Sequence, residues 1–148
     1  MLKDQISVID NSNREGLSFS KEAAVHKFFQ SDNKDYAGSG YDRGHLAAAA
    51  NHRHSQDAME STFTLANCSP QHPSLNRGIW KQLESYVRSM AQHNDHVFCL
   101  SGPMYVPFST PEGKKFVNYE CLGDNNVAIP THFFKAIAIG RKDGKYRT

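Results

Sequence analysis

The chain has 148 residues, enough for one domain with a sizeable core. It is 39% apolar and 22% charged, a globular make-up, and its net charge of +2 is too small to announce a nucleic-acid binder by itself. No stretch approaches the roughly 18 uninterrupted apolar residues of a membrane helix, and the longest apolar run, 133–139, is broken by Lys135, so no membrane insertion is expected. The first residues show neither a signal-peptide core nor an Arg-rich transit character.

In chain order, residues 1–18 read as a loosely patterned lead-in, with Asn11-Ser12-Asn13 and Gly16 marking a turn. Residues 18–29 predict a short helix with Ser20 as N-cap and Val25, Phe28 and Phe29 on one side. Residues 30–40 read as loop. Residues 55–61 predict a helix capped by Ser55, and Phe63-Thr64-Leu65 alternates as a strand. Residues 69–74 hold two prolines and read as irregular. From Asn76 to about Met90, Ile79, Leu83, Tyr86, Val87 and Met90 make the apolar stripe of an amphipathic helix. Beyond Asn94 the pattern is β: 96–100, 116–122 and 128–139 are rich in β-branched and aromatic residues, with Gly and Pro turns between them. Lys142-Asp143-Gly144-Lys145 predicts a hairpin turn.

Residues 36–100 carry five basic and five acidic side chains but six of the eight histidines. A site there depends on placed arginines and a metal, not on a diffuse positive field. Cys68, Cys99 and Cys121 are widely spaced and lack a Cys-x-x-Cys pair. A thiolate zinc site is therefore not expected, and buried free thiols are.

Two segments hold the candidate chemistry: Asp42-Arg43-Gly44-His45, and the helix carrying Asn76, Glu84 and Arg88. Phosphodiester hydrolysis needs a base for water, a cation on the phosphoryl oxygens and stabilisation of the leaving oxygen. His45 can accept a proton at neutral pH. Arg43, two residues away, shares its strand face and suits a charge-assisted phosphate contact. Asn76 offers a neutral oxygen to a hard cation such as Mg²⁺, which takes few protein ligands, although an N-cap role fits equally well. Glu84 lies roughly 12 Å along the axis from Asn76, too far for direct co-ligation. It is expected to hold a water of the metal or its i+4 neighbour Arg88, and a solvent-facing Glu84–Arg88 pair is the plainer alternative. Histidine richness alone leaves a zinc-binding module as a third, poorly supported reading.

The run from Tyr41 to Arg53 (Tyr-Asp-Arg-Gly-His-Leu-Ala-Ala-Ala-Ala-Asn-His-Arg) resembles the signature of the DNA/RNA non-specific endonuclease family, most closely its mitochondrial endonuclease G branch. The likeness continues through Ser69-Pro70-Gln71, Leu75-Asn76-x-x-x-Trp80-x-x-Leu83-Glu84 and Pro130-Thr131-His132-Phe133-Phe134-Lys135, and covers about residue 19 to the end. The resemblance implies an α+β fold of the ββα-metal (His-Me finger) type, with a central antiparallel sheet flanked by helices, over a single nuclease domain from 19 to 148. It also implies that the family's chains carry more sheet before this region and more structure after it, so truncation at both ends is expected. Carried over, His45 is the general base and Asn76 the one direct ligand of Mg²⁺, with Mn²⁺ as a substitute. Glu84 acts on the metal through water. Arg43 and Arg88 bind phosphate, while Asp42, Asn67 and Gln71 support the site. The implied substrates are DNA and RNA, cut to 5′-phosphate ends by a homodimer located in mitochondria, with release to the nucleus. The second reading is a truncated, inactive or weakly folded nuclease-like protein that binds nucleic acid or a partner without cutting.

Overall fold

The computed structural model describes Met1, residues 12–140 and Tyr146–Arg147. The expected hairpin turn at 142–145 and most of the lead-in lie outside the described residues.

The expected helix over 18–29 does not form. Ser20 instead enters a parallel bridge with Thr64, donating its N–H to the Phe63 carbonyl and accepting from the Leu65 N–H. A backbone pairing to a distant segment overrides the local propensity. Only a 3₁₀ turn at Lys27–Phe29 remains, and Phe28 and Phe29 stand 80% and 75% exposed. The segment read as loop contains helix α1 (Asn33–Tyr36), because Asp32 and Asp35 form a capping box. Buried Asp35 also accepts from the Asn125 side chain, tying α1 to the loop near Gly123, whose φ of +60° suits glycine.

Strand β1 (Asp42–His45) pairs antiparallel with β2 (Cys68–Gln71), in register from Asp42 opposite Gln71 to His45 opposite Cys68. β2 was expected to be irregular because of Pro70. Among the described residues the ribbon has two strands, so the proline costs no second ladder. Helix α2 (Gln56–Glu60) lies between them, with Ser55 accepting from the Ala58 N–H as its expected cap. The Phe63-Thr64-Leu65 strand is reduced to the Thr64 bridge and a 3₁₀ turn at Leu65–Asn67.

After β2 comes α3 (Pro73–Leu75), capped by His72, then a π-helical turn at Asn76–Trp80 and α4 (Lys81–His93). Within the turn Gly78 departs from helical angles. The stripe is shifted from expectation: Trp80, Val87 and Ala91 are buried, while Ile79 and Tyr86 are exposed. Past the kink at Gly78, the inward side of α4 also carries Glu84 and Arg88, which are half-buried.

The main sheet is β3 (His96–Met104), β8 (His132–Gly140) and β9 (Tyr146–Arg147), antiparallel in that order. Two short ribbons intervene: β4 (Phe108–Ser109) with β5 (Lys115–Phe116), and β6 (Cys121–Leu122) with β7 (Val127–Ala128). The continuous strands expected over 116–122 and 128–139 are thus divided, the second at Pro130. α4 covers one face of the main sheet by packing Val87 and Ala91 on Val97 of β3, with Ile137 of β8 against them. Each fully buried valine contributes about 2 kcal/mol. Phe98 and Leu100 on the other face are exposed. The thiols are free as expected, but Cys121 is exposed and Cys68 and Cys99 only partly buried, because none lies at a fully covered position. No helix among the described residues is long and apolar enough to cross a membrane.

Candidate active site

Three hydrogen bonds fasten β1 and the loop after it to one side of the long helix. Asn76 Nδ2 donates to Asp42 Oδ2 at 2.9 Å, Trp80 Nε1 to the His45 carbonyl at 3.1 Å, and Arg88 Nη1 to Asn51 Oδ1 at 3.2 Å. Strand and helix therefore run in step, with Glu84 one turn beyond Trp80 on the same side. The structure brings Asp42, Asn76 and Arg77 into direct contact. No hydrogen bond joins His45 to Asn76 or Glu84 among the described residues.

His45 closes the strand in an aromatic bracket. Its ring lies 4.8 Å from Phe19 and 4.8 Å from Phe63, centroid to centroid, and its Nε2 is buried without a hydrogen-bond partner. Burial first, and the positive charge of Arg14 second, push its pKa down to about 4. The imidazole is thus neutral at physiological pH, and its Nε2 has no hydrogen-bond partner among the described residues. Arg43 lies on the same face as expected, its guanidinium over Phe19 at 5.8 Å and over Tyr36 at 5.9 Å.

The other end of β1 is saturated. Arg77 grips Asp42 with two donors, Nε to Oδ2 at 2.9 Å and Nη2 to Oδ1 at 2.7 Å. The Arg77 bonds hold the Asp42 carboxyl below the ordinary carboxylate range, with Asn76 adding to them against partial burial. Asn76 is not an N-cap; that position belongs to His72. Because a carboxylate only accepts, the Asn76 NH₂ must face Asp42, which leaves Oδ1 as the atom for a cation. Among the described residues no group of three or more His, Cys, Asp or Glu side chains is placed to hold a metal. A single amide oxygen fits an ion that keeps most of its water, as Mg²⁺ does, and does not fit a tetrahedral zinc site.

Burial raises the Glu84 carboxyl, and the charges of Lys135, Arg88 and Arg14 oppose that rise. The expected Glu84–Arg88 pair is not an ion pair among the described residues: Arg88 spends its donors on Asn51 and on Ser85 Oγ, at 2.8 Å for the latter. Asn67 is a structural brace, accepting from the Ala47 N–H and donating to the Ala47 and Thr62 carbonyls. Gln71 is fully buried with both amide atoms unpartnered, its side chain lying where a Cβ on Gly44 would be. Only glycine at 44 admits that approach.

Sequence reasoning missed Arg14, Trp80 and Lys135. Arg14 lies in the unpatterned lead-in, yet its guanidinium stacks over Phe63 at 5.5 Å, and its charge reaches both His45 and Glu84. The i+4 step from Asn76 to Trp80 to Glu84 was the signal that could have found Trp80.

Residues 2–148 match the family described as DNA/RNA non-specific endonuclease. The chain belongs to that family. It is 45% identical over 135 residues to bovine (Bos taurus) mitochondrial endonuclease G, covering 91% of this chain and 45% of that protein. It is 38% identical to mouse (Mus musculus) mitochondrial nuclease EXOG over 94% of this chain and 37% of that one. Nuclease C1 of Cunninghamella echinulata var. echinulata is 39% identical over 97% of this chain. The chain spans about half the length, or less, of the mitochondrial relatives it matches. The crystal structure of an EndoG/EndoGI complex superposes with a TM-score of 0.90 at 40% identity, covering 99% of this chain and 60% of that one. The fold is therefore the α+β nuclease fold of that neighbour.

Proposed function

We propose that the chain is a Mg²⁺-dependent, sugar-non-specific endonuclease that hydrolyses DNA and RNA to 5′-phosphate ends, with Mn²⁺ as a possible substitute. The observation that carries this reading is His45, a buried, neutral imidazole with an unspent Nε2 at the end of a strand bordered by arginines. The His45 imidazole takes the proton of the attacking water. Arg43 and Arg88 lie along the same strand and the helix beside it, placed to hold phosphate oxygens, and Arg14 adds charge at the His45 ring. Asp42 orients the Asn76 amide so that Oδ1 faces a cation. Bound there, Mg²⁺ would supply positive charge to the phosphoryl oxygens and the leaving 3′ oxygen. Glu84, half-buried four residues past Trp80, would hold a water of that ion.

The reading includes a homodimer, as the family branch implies, and a mitochondrial site of action, supported by relatives named as mitochondrial nucleases; release to the nucleus is a further part of it. The test is cleavage of plasmid DNA and of a structured RNA by the refolded chain, with and without chelator, beside His45→Ala. Cutting by wild type with Mg²⁺ and its loss in the variant is the expected result. Equal cutting by His45→Ala, or cutting in excess chelator, overturns the mechanism. Binding without cutting by the wild type favours the nuclease-like binding protein instead. Ligation of the products without kinase treatment reports 5′-phosphate ends, and sedimentation reports the dimer.

A further inference from the structure

Lys135 interrupts the longest apolar run of the sequence and occupies the covered face of β8, where Phe133 and Ile137 on either side are packed inward. A lysine there is costly to desolvate, and among the described residues it has no ion-pair partner within salt-bridge distance. Its ammonium sits 3.9 Å from the centre of the Trp80 ring and donates to Ser101 Oγ, on the neighbouring strand, at 2.9 Å. Trp80 is only 3% exposed and is held on three sides: Lys135 over its face, Phe133 against it at 5.5 Å, and the His45 carbonyl at its N–H. In sequence it stands four residues after Asn76 and four before Glu84.

We infer that Lys135 is a positioning residue of the nuclease site, acting through Trp80: the ammonium clamps the indole whose N–H fixes the His45 end of β1 against the helix. The catalytic half of this inference rests on the endonuclease reading; the clamp itself does not. A cation on a ring face holds that ring in one orientation, which a neutral side chain of the same length does not. Glu84 lies within reach of the same charge.

Trp80 is the only tryptophan in the chain, so its indole N–H gives a single ¹H–¹⁵N resonance. The experiment compares wild type, Lys135→Met, Lys135→Arg, Trp80→Phe and the double variant Lys135→Met/Trp80→Phe in the full chain. Indole N–H exchange is measured together with kcat and KM on plasmid DNA with Mg²⁺. Lys135→Met should speed indole exchange and lower kcat, each about tenfold, with KM changed less than about twofold, while Lys135→Arg stays within about threefold of wild type. The double variant should be no slower than Trp80→Phe, because the lysine acts through the ring. Unchanged indole exchange in Lys135→Met, or losses that multiply in the double variant, overturns the inference. If Lys135→Met does not fold, Lys135→Gln, which keeps a donor for Ser101 but no charge, carries the same comparison. If wild type cuts nothing, the endonuclease reading fails, and indole exchange alone decides the clamp.

Discussion

The two ends of β1 solve opposite problems within four residues. Asp42 is saturated, receiving donors from Asn76 and twice from Arg77, and those bonds keep it ionised. His45 is starved, its Nε2 buried between two phenyl rings with no partner, and burial keeps it neutral. A satisfied group orients its neighbours and changes little in a reaction, whereas a buried unsatisfied one retains a capacity that a substrate can use. By this contrast the Asp42 end is the fixture and the His45 end the tool.

The contrast is broken most severely at His45. His45→Ala should lower kcat about a thousandfold, read by plasmid nicking, with a lower melting temperature because the lost ring leaves a void between Phe19 and Phe63. Acid should sharpen it next. Folded His45 protonates near pH 4 and an unfolded histidine near 6.5, so the unfolded state binds the extra proton between these values. Stability should be unaffected by this group above about pH 6.5 and should fall as pH drops towards 4, by up to about 3 kcal/mol. Denaturant melts at a series of pH values measure the slope, and His45→Phe should flatten it; the acid limb of kcat/KM should also lie well below 6.5. Asn76→Ala removes the oriented oxygen and should cost about a hundredfold in activity at low Mg²⁺, with partial recovery at high Mg²⁺. The smallest effect belongs to Arg77→Ala. Its side chain is largely exposed and Asp42 keeps its Asn76 donor, so kcat should change less than about threefold. A larger loss on titrating Mg²⁺ would show that the fixture needs both grips.

The legible parts were those where one residue type has few alternatives. Ser55 caps the short helix it precedes, His45 closes a strand, and Asn76 and Glu84 fall on one helical stretch, as the sequence indicates. The misreadings share a cause, since distant backbone decided them. Ser20 reads as an N-cap until Phe63 and Leu65 take its N–H and C=O. Pro70 reads as a strand breaker until its strand proves to have a single partner. Arg77, beside Asn76 in the sequence, is spent on Asp42 across the chain. Lys135 looked like a break in a strand, and no local pattern shows that Trp80 waits beneath it.

The π-helical turn at Asn76–Trp80 makes the site sensitive to length as well as to composition. Gly78 breaks the helical angles between Asn76 and Trp80, so deleting one residue here would change how the segment before the kink is set against the helix after it. Asn76 would leave Asp42 while Glu84 and Arg88 kept their places. Every side chain of the site could be retained, and a single-codon deletion would still take its two halves out of phase.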